Sequence, residues 1–184
     1  GCTEAIVGGE DEFYALADNG LIGHFVKSGS DYIINQEFNI VVADDDGNPY
    51  TYSGLGHDIA TGEFYLVSDQ SGEHQEDKLI ILNGDLSVKA VHSITYAGES
   101  DNSIHTYDAQ GVQFYDGNIF VLSEKFTKIL QLNLSGEIMA VIDLSEQDVR
   151  LPSDFVIKDG LFYIIGDHED HEPVPPISIF EVDD

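Results

Sequence analysis

The sequence predicts an all-β chain built as a β-propeller-type array of four blade repeats. A seven-residue phrase occurs four times, as Glu12-Phe-Tyr-Ala-Leu-Ala-Asp18, Glu63-Phe-Tyr-Leu-Val-Ser-Asp69, Asn118-Ile-Phe-Val-Leu-Ser-Glu124 and Leu161-Phe-Tyr-Ile-Ile-Gly-Asp167. The starts lie 51, 55 and 43 residues apart, a spacing that suits propeller blades. Helical periodicity is nearly absent. Alternation dominates, as in Lys128-Ile-Leu-Gln-Leu-Asn-Leu134, and only residues 144–150 have the composition for a turn or two of helix.

Each phrase is a short aromatic and aliphatic run bounded by turn residues, which reads as a central strand buried on both faces. A shorter segment led by a polar residue precedes it, at residues 3–7, 53–57, 110–114 and 153–157. The residues between are turn formers: Gly8-Gly9-Glu10-Asp11, Ala60-Thr61-Gly62, Asp116-Gly117 and Lys158-Asp159-Gly160. The first two strands of each unit therefore form a hairpin. Third strands are expected at 21–26, 79–82, 129–132 and 177–182, and fourth strands at 32–42, 88–96 and 138–144. The last unit has three strands only. Within a single domain the blade units run over about 3–48, 49–103, 104–151 and 152–184. A closed four-bladed ring is favoured, with the last blade completed by the chain terminus or a neighbouring subunit, because an uncovered blade leaves an apolar face and unpaired backbone groups. An open array whose ends pair with another copy is the alternative.

Composition excludes several function classes. Seven Lys and Arg against 35 Asp and Glu give a net charge of −28, which repels a phosphate backbone and an anionic membrane surface. Nucleic acid is therefore not an expected partner. The same charge is a solvated coat suited to salty or extracellular surroundings. A hydrophobic fraction of 42% with ten Phe and nine Tyr is too high for a disordered chain. No apolar stretch approaches the roughly 18 residues of a transmembrane helix. Cys2 is the single cysteine, so an intrachain disulfide and a thiol metal cluster are ruled out. Gly1-Cys2 matches the end of a bacterial lipobox, which makes lipid anchoring through Cys2 one expectation beside an ordinary cysteine.

The phrases Ser53-Gly-Leu-Gly-His-Asp-Ile-Ala-Thr-Gly-Glu-Phe-Tyr-Leu-Val-Ser-Asp69 and Gly111-Val-Gln-Phe-Tyr-Asp-Gly-Asn-Ile-Phe-Val-Leu-Ser-Glu124, the latter followed by Ile129-Leu-Gln-Leu-Asn-Leu-Ser-Gly136, resemble blades of the SdiA-regulated and phytase-like (NHL-like) propeller families. The likeness runs over residues 4–182 and lies in the small-Gly-aliphatic start, the Asp-Gly or Thr-Gly turn and the Phe-Tyr-x-Val-Ser-Asp strand. Members of those families generally have more than four blades. The resemblance implies the fold, an exported or surface location and metal binding in some relatives, and it carries over no catalytic residue.

Repetition around an axis delivers equivalent side chains to one end. Asp18, Asp69, Glu124 and Asp167 are therefore expected to form a rough ring of carboxylates, suited to Ca²⁺ or Mg²⁺ or else to capping the local loops. The leading positions Glu4, Gly54, Gly111 and Asp154 are expected near the axis at the other end of the hairpins, with Glu4 and Asp154 able to coordinate a cation. Asp167-His168-Glu169-Asp170-His171-Glu172 concentrates candidate ligands, His168, Asp170 and His171 among them, for zinc or another borderline cation; an exposed polar loop accounts for it equally simply. Asp44-Asp45-Asp46-Gly47-Asn48 opens like a calcium loop, but its twelfth position is Leu55, so an acidic turn is the better reading. His57 and Asp58 could form an acid–base pair.

The function these features favour is an exported acidic propeller acting as a binding or assembly module, cation-stabilised, with a protein or glycan ligand and self-association through the terminal blade. The competing readings are a metal-dependent hydrolase of phytase-like or lactonase-like type, with Glu4 and Asp154 as ligands and His57 as base, and a structural subunit of a surface polymer.

Overall fold

A computed structural model describes residues 3–69, 77–96, 107–146, 149, 152–166 and 177–181, although the side chains of Thr3, Glu4 and Asp69 lie outside that description. The chain is all-β, with four small sheets arranged as a four-bladed propeller and no helix among the described residues. None of these residues forms a helix long and apolar enough to cross a membrane.

Blade one comprises β1 (Thr3–Gly8), β2 (Glu12–Ala17), β3 (Leu21–Ser28) and β4 (Asp31–Asn39). Blade two comprises β5 (Thr51–Asp58), β6 (Glu63–Asp69), β7 (Lys78–Leu82) and β8 (Val88–Ser93). The short β9 (Thr95–Tyr96) then leaves blade two and pairs in parallel with the outer strand of blade three. Blade three runs through β10 (Ala109–Tyr115), β11 (Asn118–Ser123), β12 (Lys128–Leu132) and β13 (Glu137–Asp143). Blade four consists of β14 (Pro152–Lys158), β15 (Leu161–Gly166) and β16 (Ile177–Glu181). Within each blade consecutive strands pair antiparallel.

The expected strand over 88–96 is thus two strands. Ile94 lies between them, fully buried, with its N–H donating to the Asp77 carbonyl at 3.2 Å. Burial of that side chain fixes the point at which the chain crosses from one sheet to the next. The Asp-Gly turns behave as their chemistry dictates: Asp116 and Gly117 have φ of 47° and 78°, Asp159 and Gly160 have 54° and 79°. Positive φ at both central residues is the hairpin turn whose twist matches the flanking strands. The N-terminal segment is the inner strand of blade one, where β1 pairs with β2. It does not lie along β16, as completion of blade four by that segment would require.

The repeat phrase sets the packing. Its second and fourth residues face the preceding blade, and its third and fifth face the following one. Tyr14 and Leu16 meet Phe64 and Leu66; Tyr65 and Val67 meet Ile119 and Val121; Phe120 and Leu122 meet Phe162 and Ile164. The central strands consequently bury both faces, and three interblade cores result. Among the described residues no such core joins blade four to blade one. Phe13 holds the position of Phe64, Ile119 and Phe162 in the register, each second in its phrase. It is only half-buried where they are buried, since among the described residues no other blade packs on its face. It stacks instead on Phe25 of its own blade, centroids 4.8 Å apart.

This difference is measurable. Phe64→Ala should cost about 3–5 kcal/mol in urea unfolding, the range for emptying a buried aromatic site, and Phe13→Ala less than half of that. Equal losses would show that the end blade is packed like the inner ones.

Candidate functional site at the inner-strand end

Every inner strand carries a β-bulge where it begins. The register shifts between Thr3 and Ala5, Tyr52 and Gly54, Ala109 and Gly111, and Pro152 and Asp154. The extra residue is therefore Glu4, Ser53, Gln110 and Ser153 in turn, a polar residue each time. A bulge leaves one residue out of the ladder and re-aims its side chain, and bulges recur at barrel rims and beside functional sites.

The register corrects two expectations. Opposite the fifth residue of the phrase stand Ala5, Gly54, Gly111 and Asp154, so the counterpart of Asp154 in blade one is Ala5, and Glu4 belongs with the bulge residues. Sequence alignment by eye missed this because the bulge adds a residue without any change of composition. The antiparallel pairing also places the inner-strand starts beside the phrase ends: Thr3 faces Ala17, Thr51 faces Asp69, Ala109 faces Ser123 and Pro152 faces Gly166. The bulges therefore lie at the same end of their blades as Asp18, Asp69 and Glu124 instead of at the opposite end.

Small residues let the inner strands converge there. A Cβ on Gly54 would lie 2.7 Å from Val112 Cγ2 and 3.0 Å from its backbone nitrogen, and one on Gly111 would lie 2.6 Å from Asp154 Oδ1. Asp154 accepts a 2.8 Å bond from the N–H of Phe155. Loss of water around it pushes its pKa up to about 6, against the opposing effect of that bond. Ser53 is buried, and its Oγ has no hydrogen-bond partner among the described residues. A buried hydroxyl left so costs about 1–3 kcal/mol, a cost met with where a water or ligand completes the bond.

Of the expected carboxylate ring, Asp18 and Glu124 are half-exposed. Both give backbone bonds at this end: the Asp18 carbonyl accepts from Tyr52 N–H of blade two at 3.0 Å, and the Glu124 carbonyl accepts from Thr127 N–H in its own turn at 3.1 Å. The residue before the carboxylate does the side-chain capping. Ser68 Oγ accepts from Lys78 N–H at 2.8 Å, and Ser123 Oγ accepts from Phe126 N–H at 3.2 Å while donating to the Tyr107 carbonyl. The small residue of the phrase was the legible signal for that role. Asp77, fully buried, accepts from Tyr107 N–H at 2.8 Å, and the Tyr107 hydroxyl donates to the Lys128 carbonyl, so blades two and three are stitched together at this end. Asp77 is not among the residues that the sequence singles out.

The remaining candidates divide. Asp167, His168, Asp170 and His171 lie outside the described residues, as do the side chains of Glu4 and Asp69. Among the described residues no three His, Cys, Asp or Glu side chains converge to hold a metal ion. Asp44 spends its carboxylate inside its own turn, accepting from the N–H groups of Asp46 and Asn48 at 3.0 and 2.8 Å. His57 lies flat on Phe64, centroids 4.2 Å apart, and burial pushes its pKa down. Asp58 is held low chiefly by the Thr61 hydroxyl at 2.6 Å, and by the Ala60 N–H. His57 sits three residues along β5 from Gly54, about 10 Å at strand rise, so it cannot serve as base to a group at the inner-strand end.

No family model matches the chain, and no curated protein matches it. Solved structures do. The glutaminyl cyclase of Myxococcus xanthus aligns over 97% of this chain and 72% of its own, with a TM-score of 0.63 and 11% identity. A chain from a nidogen–laminin complex aligns over 92% of this chain and 57% of its own, with a TM-score of 0.59 and 13% identity. Hydrazine synthase of Kuenenia stuttgartiensis aligns over 97% and 46%, with a TM-score of 0.58 and 8% identity. The chain thus spans about half the length of two of these. At such identities the likeness is one of fold, a propeller.

Two outcomes follow from the geometry. Gly111→Ala should destabilise by about 1–3 kcal/mol, the cost of overpacking, and Asp154→Ala should relieve part of it in a double-mutant cycle. Asp154→Asn should raise the melting temperature at pH 7 and lose that advantage as pH falls from about 6 toward the unfolded value of 3.8. The sign follows because a carboxyl whose folded pKa is raised opposes folding only when ionised. Comparing the variant with the parent at each pH removes the general effect of the acidic coat.

Proposed function

We propose that the chain is an acidic propeller binding module of the SdiA-regulated or phytase-like kind, exported, that takes a protein or glycan ligand at the inner-strand end and is stabilised there by a divalent cation, with calcium the best match to oxygen ligands. The observation that carries this reading is that all four inner strands bulge at a polar residue, and that these bulges lie at the blade ends where Asp18 and Glu124 close their phrases. One of the structurally similar chains comes from a protein complex, that of nidogen with laminin. Small residues at three of the four ring positions, Ala5, Gly54 and Gly111, supply no chemistry, which favours a module over an enzyme.

Asp154 supports a second reading. A water-poor carboxyl that titrates near pH 6 is the kind of group hydrolytic centres use, and a metal-dependent hydrolase would take Asp154 and Glu4 as ligands.

The discriminating experiment follows thermal unfolding with added CaCl₂ and with NaCl matched in ionic strength, alongside a panel of phosphate esters and lactones. The module reading expects a calcium-specific rise, reduced in Asp18→Asn/Glu124→Gln, and no turnover. Equal effects at equal ionic strength would leave screening of the charge as the whole explanation and remove the cation site. Turnover abolished by Asp154→Asn would replace the module with the hydrolase.

A further inference from the structure

We infer that Asn83 is a self-modification site, where the backbone nitrogen of Gly84 closes on the Asn83 carboxamide and converts the residue to aspartate and isoaspartate, while the fold keeps the other Asn-Gly pair, Asn19-Gly20, intact. By sequence the two pairs are chemically alike. A glycine in second place offers a nitrogen with no Cβ beside it to block the approach. Ring closure further requires that this nitrogen be free and that the backbone be able to turn it toward the side-chain carbon.

The structure separates the pairs on both counts. Gly20 is buried, its N–H donates to the Ala17 carbonyl at 2.9 Å, and its own carbonyl accepts from Ile40 N–H at 2.9 Å. The Ile40 carbonyl oxygen stands where a Cβ on Gly20 would lie, so the peptide cannot rotate without displacing the segment that follows β4. Gly84 is exposed, and its N–H makes no hydrogen bond among the described residues. Asn133-Leu134 is the internal comparison, because it opens the matching turn of blade three: Asn133 N–H donates to the Glu137 carbonyl at 3.0 Å as Asn83 N–H donates to the Ser87 carbonyl at 2.9 Å. The Asn133 carboxamide is held at both atoms, its Oδ1 accepting from Ser135 and Glu137 N–H at 2.9 and 3.0 Å and its Nδ2 donating to Glu137 Oε2 at 2.7 Å. The Asn83 carboxamide is held among the described residues by its Nδ2 alone, which donates to Ser87 Oγ at 2.9 Å and to the Ser87 carbonyl at 3.4 Å.

The step balances with water alone. The Gly84 nitrogen gives its proton to hydroxide and bonds to Asn83 Cγ; the carboxamide C–N bond breaks, and the amide nitrogen leaves as ammonia with a proton from water. Water then opens the cyclic imide at either carbonyl, giving aspartate by one cleavage and isoaspartate by the other. Neither product can donate to Ser87 Oγ, since a carboxylate has acceptors only. That hydroxyl already donates to Asp85 Oδ1 at 2.6 Å, so two carboxylates come to face each other across it. Isoaspartate also lengthens the main chain in a turn where Leu86 N–H donates to the Asn83 carbonyl at 2.8 Å. This turn holds Leu86 at a φ of 63° with its side chain in the core between blades one and two. Conversion therefore loosens the joint between those blades.

The test is peptide mapping by mass spectrometry of the whole chain after storage at mildly alkaline pH, folded and in guanidinium chloride. In the folded chain Asn83 should convert to two products of equal mass, faster as pH rises, while Asn19 and Asn133 stay unchanged. In denaturant Asn19 and Asn83 should convert at similar rates, because only the fold distinguishes them. Gly84→Ala, whose added Cβ would meet the Gly62 carbonyl oxygen at 3.3 Å, should leave Asn83 unchanged over the half-life of the parent. Asn83→Asp, which carries the product's charge, should lower the urea midpoint of unfolding. Folded-state conversion of Asn19 at the rate of Asn83 would overturn the proposal. So would an Asn83 modified only in denaturant, or a folded Gly84→Ala chain modified as fast as the parent. An unchanged midpoint in Asn83→Asp would overturn the consequence for the joint. If Gly84→Ala does not fold, the comparison of Asn83 with Asn19 in the two states decides alone.

Discussion

The constraint on which the rest of this structure depends is that each central strand must bury both of its faces. A sheet with one wet face can alternate apolar and polar residues, but these strands carry four apolar or aromatic residues in succession, and each blade can satisfy only its own backbone hydrogen bonds. The side chains must be covered by something outside the sheet. A neighbouring blade is that cover, so the repeat phrase is both a strand and a specification of what lies on either side of it. The local sequence thus dictates quaternary-like contacts inside one chain, as repeat architectures do generally.

Convergence at the inner strands adds a second requirement, which works against the first. Bulky residues hold the blades apart along the middle of the sheets, while the inner-strand starts must come within van der Waals contact of one another. Gly54 and Gly111 resolve the conflict by having no Cβ where Val112 and Asp154 already stand. The bulges follow from the same crowding, because an extra residue bends the strand and increases its twist. The residue set free by each bulge is polar, so the end of the propeller acquires its chemistry as a by-product of how its strands are made to meet.

The four-blade fold was legible in the sequence because it is written four times, and strand order followed from turn chemistry at Asp116-Gly117 and Asp159-Gly160. The candidate site was legible only in part. Glu4 and Asp154 were assigned one role, whereas the register separates them by one residue, and a one-residue slip is invisible when the residues concerned are all small or polar. The capping by Ser68 and Ser123 and the bridging by Asp77 depend on which loop returns to which strand end, and no periodicity encodes that. The half-buried state of Phe13 escaped for a related reason: its phrase is identical in kind to the others, and what differs is that no described residue of another blade packs on its face.

The acidic coat and the apolar faces belong to one account. A chain with 35 acidic residues and end faces as oily as its interior would associate indiscriminately if hydrophobic burial were the only force between copies. Charge of one sign raises the cost of every approach alike, so only a contact that buries well-matched apolar surface overcomes it.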